Sequence, residues 1–130
     1  MTRAVIDTSI IIDHLKGIPA ATAYLKGLEE GTLGGIVSSV TYTELFAGER
    51  MTDRERRQIE MLLALMETAD VTPNIAREAG ILLSLYRRSH GLTPLDAIIA
   101  ATSLNLVLPL ATRNVKDFQF IPDLKVISPY

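Results

Sequence analysis

Short apolar runs, separated by longer stretches of helical periodicity, constrain this chain more than any other feature. Residues 4–6, 36–38, 107–111 and 125–127 read as buried strands, and residues 69–71 as a further strand or turn. Between them, helical spacing covers residues 9–16, 20–30, 40–48 and 53–66. Thr72-Pro73 and Thr93-Pro94 each set a capping hydroxyl before a proline at the first helical position. Behind the first, Ile75, Ala76, Ala79, Leu82, Leu83 and Tyr86 repeat at helical spacing; behind the second, Leu95, Ile98, Ile99, Thr102 and Leu106 do so. Apolar strands alternating with helices predict an α/β sandwich around a mostly parallel sheet. Neither a repeat nor a linker interrupts the pattern, so residues 1–130 are expected to form one domain. In such folds ligands bind beyond the carboxyl ends of the strands, which tells us where chemistry should be sought.

Composition removes several kinds of chemistry. The chain has no cysteine, so thiolate metal sites, disulfides and cysteine nucleophiles are excluded. His14 and His90 lie far apart in sequence, which leaves no paired-histidine metal motif. Thirteen basic against fifteen acidic side chains give a net charge of −2, which argues against binding nucleic acid by bulk positive charge but permits a local basic rim. Asp7 breaks the first apolar run and no small-residue cleavage site follows, so the opening segment does not read as a signal peptide. Residues 97–111 are the longest weakly polar stretch; they are too short for a membrane span and contain Asn105 and Pro109. A cytoplasmic protein is expected.

Four acidic positions stand where solvent does not explain them fully. Asp7 ends the first strand; helix capping accounts for one polar residue there, but not for Asp7, Thr8 and Ser9 together. Asp96 lies in the first turn of a helix that is apolar or small on nearly every face, and hence buried. The helix dipole alone would favour an acid there, so capping and function weigh equally. Glu44 shares a helical stripe with Val40, Thr43 and Ala47, and taken alone it reads as a solvated surface residue. Arg113, Asn114 and Asp117 follow the strand at 107–111, where turn chemistry also favours Asn and Asp. Asp13 reads as helix surface. If the four acids meet at one sheet edge they repel one another, and a divalent cation removes that repulsion. Oxygen-only ligands favour Mg²⁺ or Mn²⁺.

The ordered motifs resemble those of a PIN-domain ribonuclease, and more closely a VapC-type toxin, over essentially the whole chain. VIDTSIIID at 5–13 resembles the opening strand with the first acid, Asp7, and TYTEL at 41–45 carries the second, Glu44. LTPLDAIIAAT at 92–102 carries the third, Asp96; ATRNVKDF at 111–118 carries the fourth, with Thr112, Asn114 and Asp117 at its polar positions. The resemblance implies a three-layer sandwich with a twisted five-stranded parallel sheet, a homodimer, and Mg²⁺- or Mn²⁺-dependent cleavage of RNA. It also implies a toxin that cuts tRNA or ribosomal RNA and is blocked by a VapB-type antitoxin. On this reading Asp7 and Asp96 hold the principal metal, and Glu44 holds a second metal or orients the attacking water. Asp117 with Asn114 closes the shell, and Thr8, Ser9 and Thr112 bond carboxylates or phosphate. Arg113 and Lys116, with Lys16, are candidates for flanking phosphates. The alternatives are a PIN nuclease of RNA processing or DNA-linked regulation, and a binding module without catalysis.

Overall fold

The computed structural model describes residues 1–130. Five strands, β1 (Thr2–Ile6), β2 (Leu33–Ser38), β3 (Glu67–Ala69), β4 (Leu110–Ala111) and β5 (Val126–Ile127), form one sheet in the order β3-β2-β1-β4-β5. Every neighbouring pair is parallel, with Val5 of β1 opposite both Ile36 of β2 and Leu110 of β4. Six helices cover the faces: α1 (Thr8–Leu15), α2 (Pro19–Glu30), α3 (Ser39–Phe46), α4 (Asp53–Leu63), α5 (Pro73–His90) and α6 (Pro94–Leu106).

The central strand is buried on both faces, as a parallel sheet between helices requires. Ala4 and Ile6 point into a core shared with Ile10 and Ile11 of α1, Leu25 of α2 and Ile59 of α4. Val5, one residue out of phase, points into the opposite core with Ile75 and Leu82 of α5, Ile99 of α6 and Phe118. Helix α6 buries Ala97, Ile99, Ala100, Ala101 and Thr102, so it is the apolar-all-round helix that its composition predicts. Burying one aliphatic side chain such as Ile99 contributes roughly 1.5–3 kcal/mol. Gly35 lets the cover approach β2 closely: a Cβ there would stand 2.9 Å from Leu28 Cδ2 and 3.0 Å from Met66 Cγ.

Helix starts fall where the caps place them. Thr72 Oγ1 accepts from the Ile75 amide, Thr93 Oγ1 from the Asp96 amide and Thr52 Oγ1 from the Glu55 amide. The later boundaries differ from the sequence reading. The strand expected over 107–111 is only Leu110–Ala111, because Val107 terminates α6 in a left-handed conformation (φ 54°) and is 87% exposed. The third strand lies earlier than residues 69–71, at Glu67–Ala69, because α4 stops at Leu63. No helix is long and apolar enough to cross a membrane.

Strand order places the site. From β1 the chain steps to β2 on one side, while β4 lies on the other side of β1. The carboxyl ends of β1 and β4 therefore flank the point where the connections diverge, the place where folds of this kind bind their ligands. Asp7 follows β1 and Thr112 follows β4.

Candidate active site

Asp7 occupies the N-cap position of α1 in an extended conformation, yet its side chain caps nothing. Instead its Oδ2 accepts from Ser9 Oγ at 2.6 Å and from Thr112 Oγ1 at 2.7 Å. Those hydroxyls are themselves held by the loop after β4: the Arg113 amide donates to Ser9 Oγ (3.3 Å) and the Asn114 amide to Thr112 Oγ1 (2.9 Å). Amide, hydroxyl and carboxylate thus form two short relays, each polarising toward Asp7. At 4% exposure, Asp7 is a nearly buried charge stabilised by this mesh.

Glu44 projects from α3 and is half-buried. The Thr8 hydroxyl, from the first residue of α1, donates to Glu44 Oε1 at 2.7 Å and lies 3.0 Å from the Thr41 hydroxyl. Asp96 sits in the first turn of α6, whose amide Thr93 caps. Its carboxyl is pushed up from the ordinary 3.8 to about 6, chiefly by burial, then by repulsion from Asp7, Asp117 and Glu44. The Thr93 hydroxyl opposes that rise. Asp117 ends a short 3₁₀ turn (Val115–Asp117) and is exposed, while Asn114 is half-buried at the start of that turn. Asp7, Asp117 and Glu44 therefore all act on Asp96 at the carboxyl edge of the sheet. As the side chains stand, no three Asp, Glu or His groups are gathered tightly enough to hold an ion between them.

The basic residues divide. Lys116 is exposed on the turn, and Lys16 lines a groove with Glu44 and Met51. The Arg113 side chain is engaged: its Nε lies 2.7 Å from Asp13 Oδ2. Asp13 corrects the sequence reading, which set it on the helix surface. It is only 7% exposed, and Tyr130 Oη donates to the same Oδ2 at 2.8 Å. The Tyr130 phenol is pushed up to about 12, first by burial and then by Asp13. One signal for Asp13 was available: it stands four residues after Ser9, on the same face of α1. Tyr130 carries no such signal, since only the folded sheet brings it to α1.

The fold and this edge define a class: a three-layer α/β domain whose parallel sheet, at its topological switch, sets Asp96 under the repulsion of three further acids. A family model described as PIN domain matches residues 4–122. Ribonuclease VapC19 of Mycobacterium tuberculosis (strain ATCC 25618 / H37Rv) is 38% identical over 126 residues, covering 96% of this chain and 98% of that protein. Among solved structures, a toxin-antitoxin complex from Klebsiella pneumoniae is similar with a TM-score of 0.76 and 31% identity, covering 98% of both chains. VapBC-1 from nontypeable Haemophilus influenzae is similar with a TM-score of 0.77 and 27% identity, again covering 98% of both chains. The chain belongs to the PIN-domain family, and within it to the VapC ribonucleases.

Proposed function

We propose that this chain is a divalent-metal-dependent endoribonuclease, the toxin of a toxin–antitoxin pair, which cuts tRNA or ribosomal RNA in the cytoplasm as a homodimer and is blocked by a VapB-type antitoxin. The observation that carries the reading is the crowding at Asp96, where three further acids press on a half-buried carboxyl. Charges of one sign collected at one edge are costly unless a cation joins them. The names of the similar proteins supply RNA as the substrate class and an antitoxin as the partner.

The donor set fits Mg²⁺ or Mn²⁺, since every group at the edge offers oxygen and none offers sulfur or imidazole. Asp7 and Asp96 would hold the principal ion, Glu44 a second ion or the attacking water, and Asp117 with Asn114 would close the shell. Such an ion, when bound, polarises the scissile phosphate and makes its water a stronger acid near neutral pH. The chain's own part is orientation. Ser9 and Thr112 both meet Asp7 on Oδ2, which fixes the rotation of the carboxylate and leaves Oδ1 without a protein donor. Thr8 fixes Glu44 through one oxygen in the same way. Lys116, exposed on the turn that carries Asp117, would meet a flanking phosphate.

The test is cleavage of a labelled tRNA and ribosomal RNA pool with Mg²⁺ or Mn²⁺, against EDTA and against Asp7→Asn. A few discrete products, absent from both controls, are expected. Cleavage that survives Asp7→Asn would remove the acids from the chemistry, and metal-bound protein that cuts nothing would favour the binding-module alternative.

A further inference from the structure

Asp13 is a buried carboxylate with no counterpart among the four acids of the sheet edge. A charge in that position persists only if it is paired and hydrogen-bonded. Both conditions are met on one oxygen, Oδ2, by Arg113 Nε at 2.7 Å and Tyr130 Oη at 2.8 Å. The location of these partners gives the arrangement its meaning. Arg113 lies between Thr112, whose hydroxyl bonds Asp7, and Asn114, whose amide bonds that same hydroxyl. Its own amide donates to Ser9, one turn before Asp13 on α1. The loop after β4 is thus pinned to α1 twice, through main chain at Ser9 and through the guanidinium at Asp13.

We propose that Asp13 is a positioning residue for the reaction: through Arg113, with Tyr130 on the same oxygen, it fixes the 112–114 loop against Asp7 and holds the guanidinium away from the acidic edge. Two consequences separate this from a surface ion pair. The pair is anchored at one end on a buried carboxylate (side-chain exposure 9%) and at the other on a half-exposed arginine of the loop, so its loss frees the loop as well as leaving a buried group unpaired. An arginine released beside a cluster of acids also has new partners, which would draw it into the site. Holding Arg113 in this way differs from using it as a phosphate contact, and the two roles move different kinetic constants.

The inference rests on the proposed reading of the Asp7 edge as the catalytic site, so Asp7→Asn is measured alongside. Asp13→Asn and Arg113→Gln are each expected to lower kcat by roughly ten- to a hundredfold, the scale of a small misplacement of reacting groups, with KM for RNA unchanged. The double variant should fall no further than the weaker single, because both break one linkage. Tyr130→Phe keeps the ring, removes the donor and should lower kcat in the same direction; it also serves if Asp13→Asn does not fold. Amide hydrogen exchange on the ion-free protein gives a readout independent of cleavage: the Arg113 and Asn114 amides should exchange faster in Asp13→Asn than in wild type. A raised KM in Arg113→Gln with Asp13→Asn unaffected would make Arg113 a phosphate contact and overturn the proposal. Additive losses, or loop amides unchanged, would overturn it as well. If Asp7→Asn cuts as fast as wild type, the reading of the site fails first; if Asp7→Asn is inactive while Asp13→Asn is not impaired, only the positioning role fails.

Discussion

Asp7 shows how little a residue's position in an element says about its work. It stands where a capping side chain belongs, and its neighbours Thr8 and Ser9 are capping residues by type, yet none of the three caps α1. Their oxygens bond instead to one another and to Glu44 and Thr112. At Asp96 the cap is real but belongs to Thr93, which leaves the acid free to feel its neighbours. A carboxyl at about 6 when folded and 3.8 in its ordinary state takes up a proton more readily in the folded chain. Ionised Asp96 therefore costs stability above pH 6, and the cost shrinks as pH falls through 6 towards 3.8. Without divalent ions at pH 7.5, Asp96→Asn is expected to raise Tm, by about 1–2 kcal/mol of stability once solvent screening of a half-buried group is discounted. The gap should narrow steadily on lowering the pH to 4, and calorimetry across that range checks it. Asp7 stands out because it breaks an apolar run and Asp96 because it heads an apolar helix, whereas Glu44 and Asp117 were singled out only through the resemblance of their motifs. Asp13 does neither, since an acid on an amphipathic helix is unremarked until its far partners are known.

At the level of elements, beginnings were more readable than ends. Threonine followed by proline specifies a start through one hydrogen bond and one fixed dihedral, both local. Ends depend on what the chain meets next. Val107 and Leu108 are apolar enough for a strand, but pairing begins only at Leu110, where β1 and β5 both lie alongside. Val107 instead adopts the left-handed turn that closes α6. The cap at the head of α6 has a double role, since it holds the turn that carries Asp96. Thr93→Ala is expected to cost about 1 kcal/mol, the usual worth of such a cap, and to lower cleavage as well. A thermal melt paired with the cleavage assay checks both; an unchanged melt would mean that packing alone holds that turn.

For the molecule as a whole, the alternation of strands and helices was enough to predict an α/β sandwich around a mostly parallel sheet, because such a sheet needs helical cover. The order of the strands was not readable from periodicity, since the contacts that set it join residues far apart in sequence. That order is what brings Asp7 and Thr112 together. If an ion binds between the acids it binds the folded chain alone, and stability becomes linked to its concentration. Mg²⁺ or Mn²⁺ should raise the wild-type Tm, by about 2.7 kcal/mol of stability at a hundred times the dissociation constant, and should leave Asp7→Asn unmoved. The flanks of the sheet have a consequence of their own. An open sheet has two sides on which another chain can continue the hydrogen-bonded ladder. Here one flank is the three residues of β3, with Glu67 tied to Arg3, and the other is the two residues of β5. Neither ledge is long enough to template a further strand, so fibrillar growth along the sheet has nowhere to begin.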